Sequence, residues 1–160
     1  RQDKSFKTMS YTVDSTITTG DISFSGGAVG TTAVDIALTK LENSTTAAVN
    51  TVTATDDGEE FTITDGTNTT ADIALATGDT VDDIVAKINA AADTADVDVT
   101  AVNDNGSIKL TSLSGSAITV AEGGTTGGAA YLGFAATGTA VAKTTDELVA
   151  AVNSTDALAG

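Results

Sequence analysis

The sequence predicts an α+β fold built mostly from antiparallel strands, and two patterns lead to this prediction. Short segments of alternating apolar residues recur along the chain, separated by Gly, Asp and Asn, which is typical of β-hairpins. The stretch TVDDIVAKINAAAD at 80–93 is different, because its apolar residues have the spacing of one helical face. Those residues are Val81, Ile84, Val85 and Ile88. A helix this short needs a packing partner, so we expect one short helix packed on a β-sheet per repeat unit.

The chain is expected to form two small lobes joined near residue 50, of which residues 1–50 are the β-rich first lobe. Residues 11–25 alternate with period two around a Thr-Gly-Asp turn, which predicts a hairpin. The segment TAVDIALTKLEN at 32–43 fits a helix or a strand. The strand is preferred because the similar segment TADIAL at 70–75 lies among predicted strands.

Residues 51–122 are expected to form a ββαβββ unit. Alternating segments at 49–55, 59–64 and 69–75 are separated by Asp-Gly pairs, which favour hairpin turns because both turn positions need positive φ. A three-stranded meander is therefore predicted before the helix. After the helix, the sequence predicts a hairpin that turns at 103–106 and a further strand at 116–122.

The helix is expected to begin at Val81, with Thr80 as its N-cap and Asp83 completing a capping box in which Asp replaces Glu. TTDELVAAVN at 144–153 repeats TVDDIVAKIN at 80–89, 64 residues further along the chain. Residues 144–160 are thus expected to start a second repeat with its helix. No partner strands follow this second copy, so the chain is expected to be cut from a longer one. Residues 123–143, between the copies, are predicted to be a Gly-rich connector.

The composition excludes several functions. With 22 acidic and 7 basic residues the net charge is -15, and such a surface repels nucleic acid and anionic lipid. The chain has no Cys and no His, so it has no thiol nucleophile, no imidazole base and no thiolate or imidazole metal ligand. No apolar run of about 18 residues is present, so we expect no membrane span. An enzyme is not expected.

Two acidic clusters are the candidates for a calcium site. The first is Asp56, Asp57, Glu59 and Glu60, and the second is Asp93, Asp96 and Asp98. No window has the EF-hand loop pattern, so both clusters are expected to be solvated turns. A carboxylate pair for glycoside hydrolysis needs an aromatic-lined cleft, whereas these acids concentrate in turns and at helix starts. We therefore assign no catalytic, cofactor-binding or metal-ligating residue, and no cofactor.

The order of elements in the centre of the chain resembles a known motif. TVDDIVAKIN is followed by VTAVNDNGSIKLTS at 99–112 and AITV at 117–120. This order is similar to the repeat inserted in the variable outer domains of bacterial flagellins and of the flagellar filament-cap protein. LGF at 132–134, after a Gly-rich run, is similar to the same family. The resemblance covers residues 56–122 well, 129–160 partly and 1–48 hardly.

The resemblance implies a structural, surface-exposed, extracellular domain on the exterior of a motility filament. The long terminal helices that polymerise flagellin are absent from the sequence, so the chain by itself is expected to be monomeric. Its partners are then other filament subunits, bound through parts outside this chain. The filament-cap and hook-associated proteins carry the same motif and remain alternatives to flagellin. A further alternative is an adhesive module that contacts host receptors or antibodies. In a bacterial protein, the N-x-S/T sequons at Asn43, Asn68, Asn105 and Asn153 are interpreted as chance.

Overall fold

The computed structural model describes residues 21–24 and 34–154. The chain divides into two compact units. The larger unit comprises residues 39–141, and the smaller one comprises residues 1–38 together with 142–160. The predicted α+β class with mostly antiparallel strands is confirmed.

The described residues form nine strands and three helices. The strands are β1 Asp21–Phe24, β2 Val34–Ala37, β3 Thr39–Ser44, β4 Glu60–Thr64, β5 Ile73–Ala74, β6 Thr100–Asp104, β7 Ser107–Ser112, β8 Thr119–Glu122 and β9 Thr139–Ala142. The helices are α1 Val81–Ala95, α2 Gly128–Leu132 and α3 Thr145–Asn153.

The strands of the larger unit lie in two sheets. One sheet has the order β6-β7-β3-β9 and the other has the order β5-β4-β8. In the smaller unit, β1 pairs with β2. The pairs β1–β2, β3–β7, β4–β5, β4–β8 and β6–β7 are all antiparallel.

Helix α1 begins where the sequence predicts, and for the predicted reason. Thr80 Oγ1 accepts a hydrogen bond from the backbone N–H of Asp83, and the backbone N–H of Thr80 donates to the Asp83 carboxylate at 2.9 Å. This capping box satisfies two N–H groups that lack intrahelical partners. The helix ends at Asp96, which has the left-handed conformation with φ 54°.

One face of α1 forms part of the core of the larger unit. Ile84 and Ile88 are completely buried, and Ala92 is nearly so. They belong to the same cluster as buried side chains from both sheets, among them Phe61, Ile63, Ile108 and Leu110. The predicted packing of a short helix on a β surface is therefore confirmed.

Asn89 of α1 pairs with the outer edge of β6. Its Nδ2 donates to the carbonyl oxygen of Ala101 at 3.0 Å, and its Oδ1 accepts from the N–H of Ala101 at 2.8 Å. The carboxamide thus occupies the place of a neighbouring strand on a sheet edge. This contact fixes the helix along β6.

The Gly-rich segment 123–143 is more regular than the sequence indicated, since it contains α2 and β9. Gly128 is buried, and a Cβ atom there would lie 2.6 Å from the carbonyl carbon and oxygen of Glu60. Glu60 also accepts a hydrogen bond from Gly123 N at 2.9 Å and donates one to Thr125 O at 2.8 Å. The glycines therefore allow this segment to pack directly on the backbone of β4.

The predicted strand at 49–55 is wrong. Val52 is buried, but its N–H donates to Asp79 O at 3.0 Å and its carbonyl oxygen accepts from Gly78 N at 2.8 Å. These bonds connect the segment to the loop before α1 instead of to a strand. The first strand of the predicted meander is therefore not formed.

The turn geometry was only partly predicted. In the Asp57-Gly58 and Asp65-Gly66 pairs only the glycine has positive φ, so neither pair is a turn with two positive φ angles. Asn105 and Gly106 do have that geometry, with φ of 52° and 92°, and they join β6 to β7 as predicted.

Strand pairing gives two further outcomes. The strand after that hairpin, β8, pairs with β4 of the other sheet and not with β7. The ambiguous segment 32–43 forms strands from residue 34 onward, as preferred, because it supplies β2 and most of β3, while residues 32 and 33 lie outside the described residues. Residues 11–20 and 25 of the predicted hairpin at 11–25 lie outside the described residues.

Candidate functional site

The first acidic cluster is divided among separate structural contacts. The Asp57 carboxylate accepts hydrogen bonds from the backbone N–H and the hydroxyl of Thr77, at 2.7 and 3.0 Å. Asp56 accepts from the hydroxyl of Thr53 at 2.8 Å. Glu60 accepts from the N–H of Thr125 at 2.8 Å. Each of these carboxylates therefore fixes a different loop.

The second acidic cluster also supports the backbone. Asp98 Oδ2 accepts from the hydroxyl of Ser112 at 2.8 Å and from the N–H of Ser114 at 3.0 Å. Asp96 serves as the left-handed C-cap of α1. In the part of the chain that the structure describes, no group of three or more acidic side chains is placed to hold a metal ion.

Asp65 is the one buried acidic residue in the described part of the chain, and sequence reasoning placed it only in a turn. Asp65 Oδ1 accepts from the N–H groups of Thr67 and Asn68, both at 2.8 Å, and Oδ2 accepts from the N–H of Asp98 at 2.8 Å. These bonds, the one from Asp98 foremost, lower the pKa of Asp65 below its usual value. The only signal in the sequence was an Asp at the start of a turn, which predicts hydrogen bonds from the next N–H groups along the chain. That signal accounts for the bonds from Thr67 and Asn68 but not for the bond from Asp98.

Glu122 has a similar role at the end of β8. Its carboxylate accepts from the N–H groups of Gly127, Ala129 and Ala130 at 2.6, 3.3 and 2.9 Å. The bond from Gly127 is the main reason that the pKa of Glu122 is lowered. Glu122 thus fixes the start of α2 to the strand that precedes it.

These environments favour ionised carboxylates that accept hydrogen bonds. A general acid for glycoside hydrolysis needs the opposite, a carboxyl group whose pKa is raised by burial among apolar side chains. A shallow surface depression of about 510 Å³ at the C-terminal end of α1 is lined by Asp93 and Asp98, but no aromatic side chain lines it. It therefore does not match the aromatic-lined cleft that a glycosidase requires.

The sequons lie in dissimilar environments. Asn43 is buried, and its Nδ2 donates to the carbonyl oxygen of Ala135 at 3.0 Å. Asn68 Nδ2 donates to Asp96 O at 2.6 Å. Asn105 is exposed at the tip of the β6–β7 hairpin. The Asn43 amide is therefore inaccessible in the folded unit.

The hydrogen-bonded carboxylates predict a loss of stability in acid. The pKa values of Asp57, Asp65, Asp83 and Glu122 are all lowered by hydrogen bonds. Their stabilisation is present above the unfolded-state pKa values of about 3.9 for Asp and 4.3 for Glu, and it is lost as pH falls through the folded-state values. Urea unfolding at a series of pH values should therefore show stability falling steeply below about pH 4.

Asp65→Asn provides the control for this acid prediction. The variant cannot ionise and places an amide group where two oxygens now accept three N–H donors. It should be less stable than the parent at neutral pH and should lose less stability on acidification. An acid profile parallel to that of the parent would show that Asp65 does not contribute to the effect.

The comparisons with known proteins agree with the sequence resemblance. Residues 60–114 match the model of the flagellin hook IN motif, a segment that runs from β4 through β7 and includes α1. No curated protein and no solved structure matches the chain. No helix among residues 21–24 and 34–154 is long and apolar enough to cross a membrane. The motif match supports a relation to flagellin-type structural proteins.

Proposed function

We propose that this chain is a structural, surface-exposed outer domain of a bacterial flagellar filament subunit, flagellin. In this role it lies on the exterior of an extracellular motility filament and takes no part in polymerisation. The observation that carries the proposal is the flagellin hook IN motif at 60–114, which lies wholly within the compact unit 39–141. A unit with its own core can be displayed without contributing to contacts elsewhere in a subunit.

The connection between the two units supports an outer, inserted position. The chain enters the larger unit after Leu38 and leaves it before Ala142. Within the smaller unit, Lys143 N donates to Leu38 O at 2.9 Å, so the two connecting segments meet. An insertion whose ends are close together leaves the remainder of a protein undisturbed.

The surface favours a spacer over an adhesive module. Only three large apolar side chains of the described residues are substantially exposed, and they come from separate segments: Val102, Leu113 and Val149. A binding module would show a contiguous apolar patch. The net charge of -15 makes neighbouring copies repel each other and keeps exposed strand edges from pairing.

We further propose that residues 51–122 are one repeat unit and that residues 144–160 begin a second. The elements within 51–122 occur in the order ββαβββ. Helix α3 has a capping box of Thr144 and Glu147 that is equivalent to the one at the start of α1. Residues 1–50 are then a β-rich segment that contributes β3 to the sheet of the larger unit, and residues 123–143 are a Gly-rich connection that packs on β4. The partners of the chain are other filament subunits, bound through other parts of the parent protein.

Immunogold electron microscopy of native flagella tests the location. Antibodies raised against the chain should label intact filaments along their whole length, and prior incubation with soluble chain should abolish the labelling. Label confined to the filament tip would indicate the cap protein, and label confined to the hook junction would indicate a hook-associated protein. Labelling of dissociated subunits but not of intact filaments would contradict the exterior position.

A further inference from the structure

Asn105 and Gly106 form the only Asn-Gly pair in the sequence. They are the two central residues of the β6–β7 turn, and Asn105 is exposed. We propose that Asn105 is a deamidation site and that the hydrogen bonds around Gly106 slow the deamidation of Asn105. The inference does not depend on the proposed function.

The reaction needs only water. The backbone nitrogen of Gly106 gives its proton to water or hydroxide and attacks Cγ of Asn105. The bond from Cγ to Nδ2 then breaks as the amide nitrogen takes a proton from water and leaves as ammonia. Water then opens the five-membered imide at either carbonyl, which leaves aspartate or isoaspartate at position 105. Glycine favours the attack because no side chain hinders the approach of its nitrogen.

The structure opposes the first step of this reaction. Gly106 N–H donates to Oδ1 of Asn103 at 2.8 Å. A hydrogen-bonded N–H is harder to deprotonate, since loss of the proton also breaks the bond. Asn103 is in turn oriented by Asp82 of α1, whose Oδ1 accepts from Asn103 Nδ2 at 2.7 Å. The carboxamide oxygen of Asn103 is thereby directed at Gly106.

The backbone on the other side of Gly106 is fixed as well. Its carbonyl oxygen accepts from the N–H of Val49 at 2.8 Å. Asn105 and Gly106 have φ of 52° and 92°, the left-handed geometry of a two-residue hairpin turn. Attack on Cγ requires the peptide between them to rotate out of this geometry. Rotation would break the bond from Gly106 N–H to Asn103, and the bond from Val49 holds the carbonyl group on the other side of Gly106 in place.

Deamidation would have two physical consequences. It adds one negative charge to a chain whose net charge is already -15. Isoaspartate also adds a backbone carbon to a turn in which Asp104 and Ser107 are directly paired. The extra atom would distort the turn that sets the register of a hairpin whose Leu110 and Ile108 side chains are completely buried.

The experiment measures deamidation of the folded chain at mildly alkaline pH by the gain of one mass unit in the peptide that contains residue 105. Asn103→Ala should deamidate roughly fivefold faster than the parent, the rate factor that corresponds to a hydrogen bond of about 1 kcal/mol. Asp82→Ala should accelerate the reaction less, because Asn103 remains present but loses its orienting partner. Asn105→Gln should abolish the mass gain in this peptide.

Asn68→Ala is the matched control. It removes a side-chain hydrogen bond to Asp96 O elsewhere in the same unit, so its Asn105 rate should equal that of the parent. The urea-unfolded parent supplies the unprotected rate, and thermal melts confirm that each variant is folded. If Asn103→Ala fails to fold, Asp82→Ala carries the test. A parent rate equal to the unfolded rate, or equal rates in the parent and both accelerating variants, would overturn the inference.

Discussion

Replacing Ile88 by Asp is expected to destabilise the larger unit by about 3–5 kcal/mol. Ile88 is completely inaccessible to solvent and belongs to the core formed by α1 and both sheets. The described side chains of this core are apolar, so a carboxylate there is either buried charged or protonated at a large cost in free energy. Urea unfolding followed by circular dichroism measures the change directly.

Ala86→Asp provides the control for this prediction. Ala86 lies two residues away on the same helix and is exposed, so the substitution introduces the same charge without burying it and loses at least as much helix propensity. Its effect should be below about 1 kcal/mol. Equal losses in the two variants would mean that α1 does not pack through the face that contains Ile88.

The elements that the sequence predicted correctly are those specified by neighbouring residues. Thr80 and Asp83 are three positions apart, and their capping box needs no distant partner. Asn105 and Gly106 favour left-handed conformations by themselves, and the hairpin turns there. Local chemistry was therefore enough to place the start of α1 and the β6–β7 hairpin.

The incorrect predictions concern contacts between distant residues. Val52 has the alternation of a strand, but the loop at Gly78 and Asp79 supplies its backbone partners. The sequence also does not indicate that β8 pairs with β4, because alternation of apolar and polar residues identifies a strand but not the strand it pairs with. Tertiary contacts decided both outcomes.

The same distinction applies to the carboxylates. The acidic clusters were expected to be solvated turns, but Asp93 lies within α1 and Glu60 begins β4. That Asp98 N donates to Asp65, 33 residues earlier in the chain, could not be predicted. Likewise, the residues around Glu122 do not indicate that its carboxylate accepts hydrogen bonds from three N–H groups of a Gly-rich segment. The identity of the donors follows from the fold.

Removal of the larger unit from the parent protein is expected to leave filament assembly intact. Residues 39–141 form a compact unit, and Leu38 and Lys143 are joined by a backbone hydrogen bond within the smaller unit. A short Gly-Ser linker can therefore replace the unit without separating those ends. If the unit decorates the filament exterior and makes no polymerisation contact, subunit addition should not change.

Electron microscopy of flagella from cells that produce only this shortened parent protein is the most direct test of that claim. The amount of exported subunit is measured in parallel, so that failed export is distinguished from failed assembly. We predict filaments of normal length and reduced diameter. Normal export of the shortened subunit without any filaments would show that residues 39–141 take part in polymerisation, and would contradict an exterior, structural role.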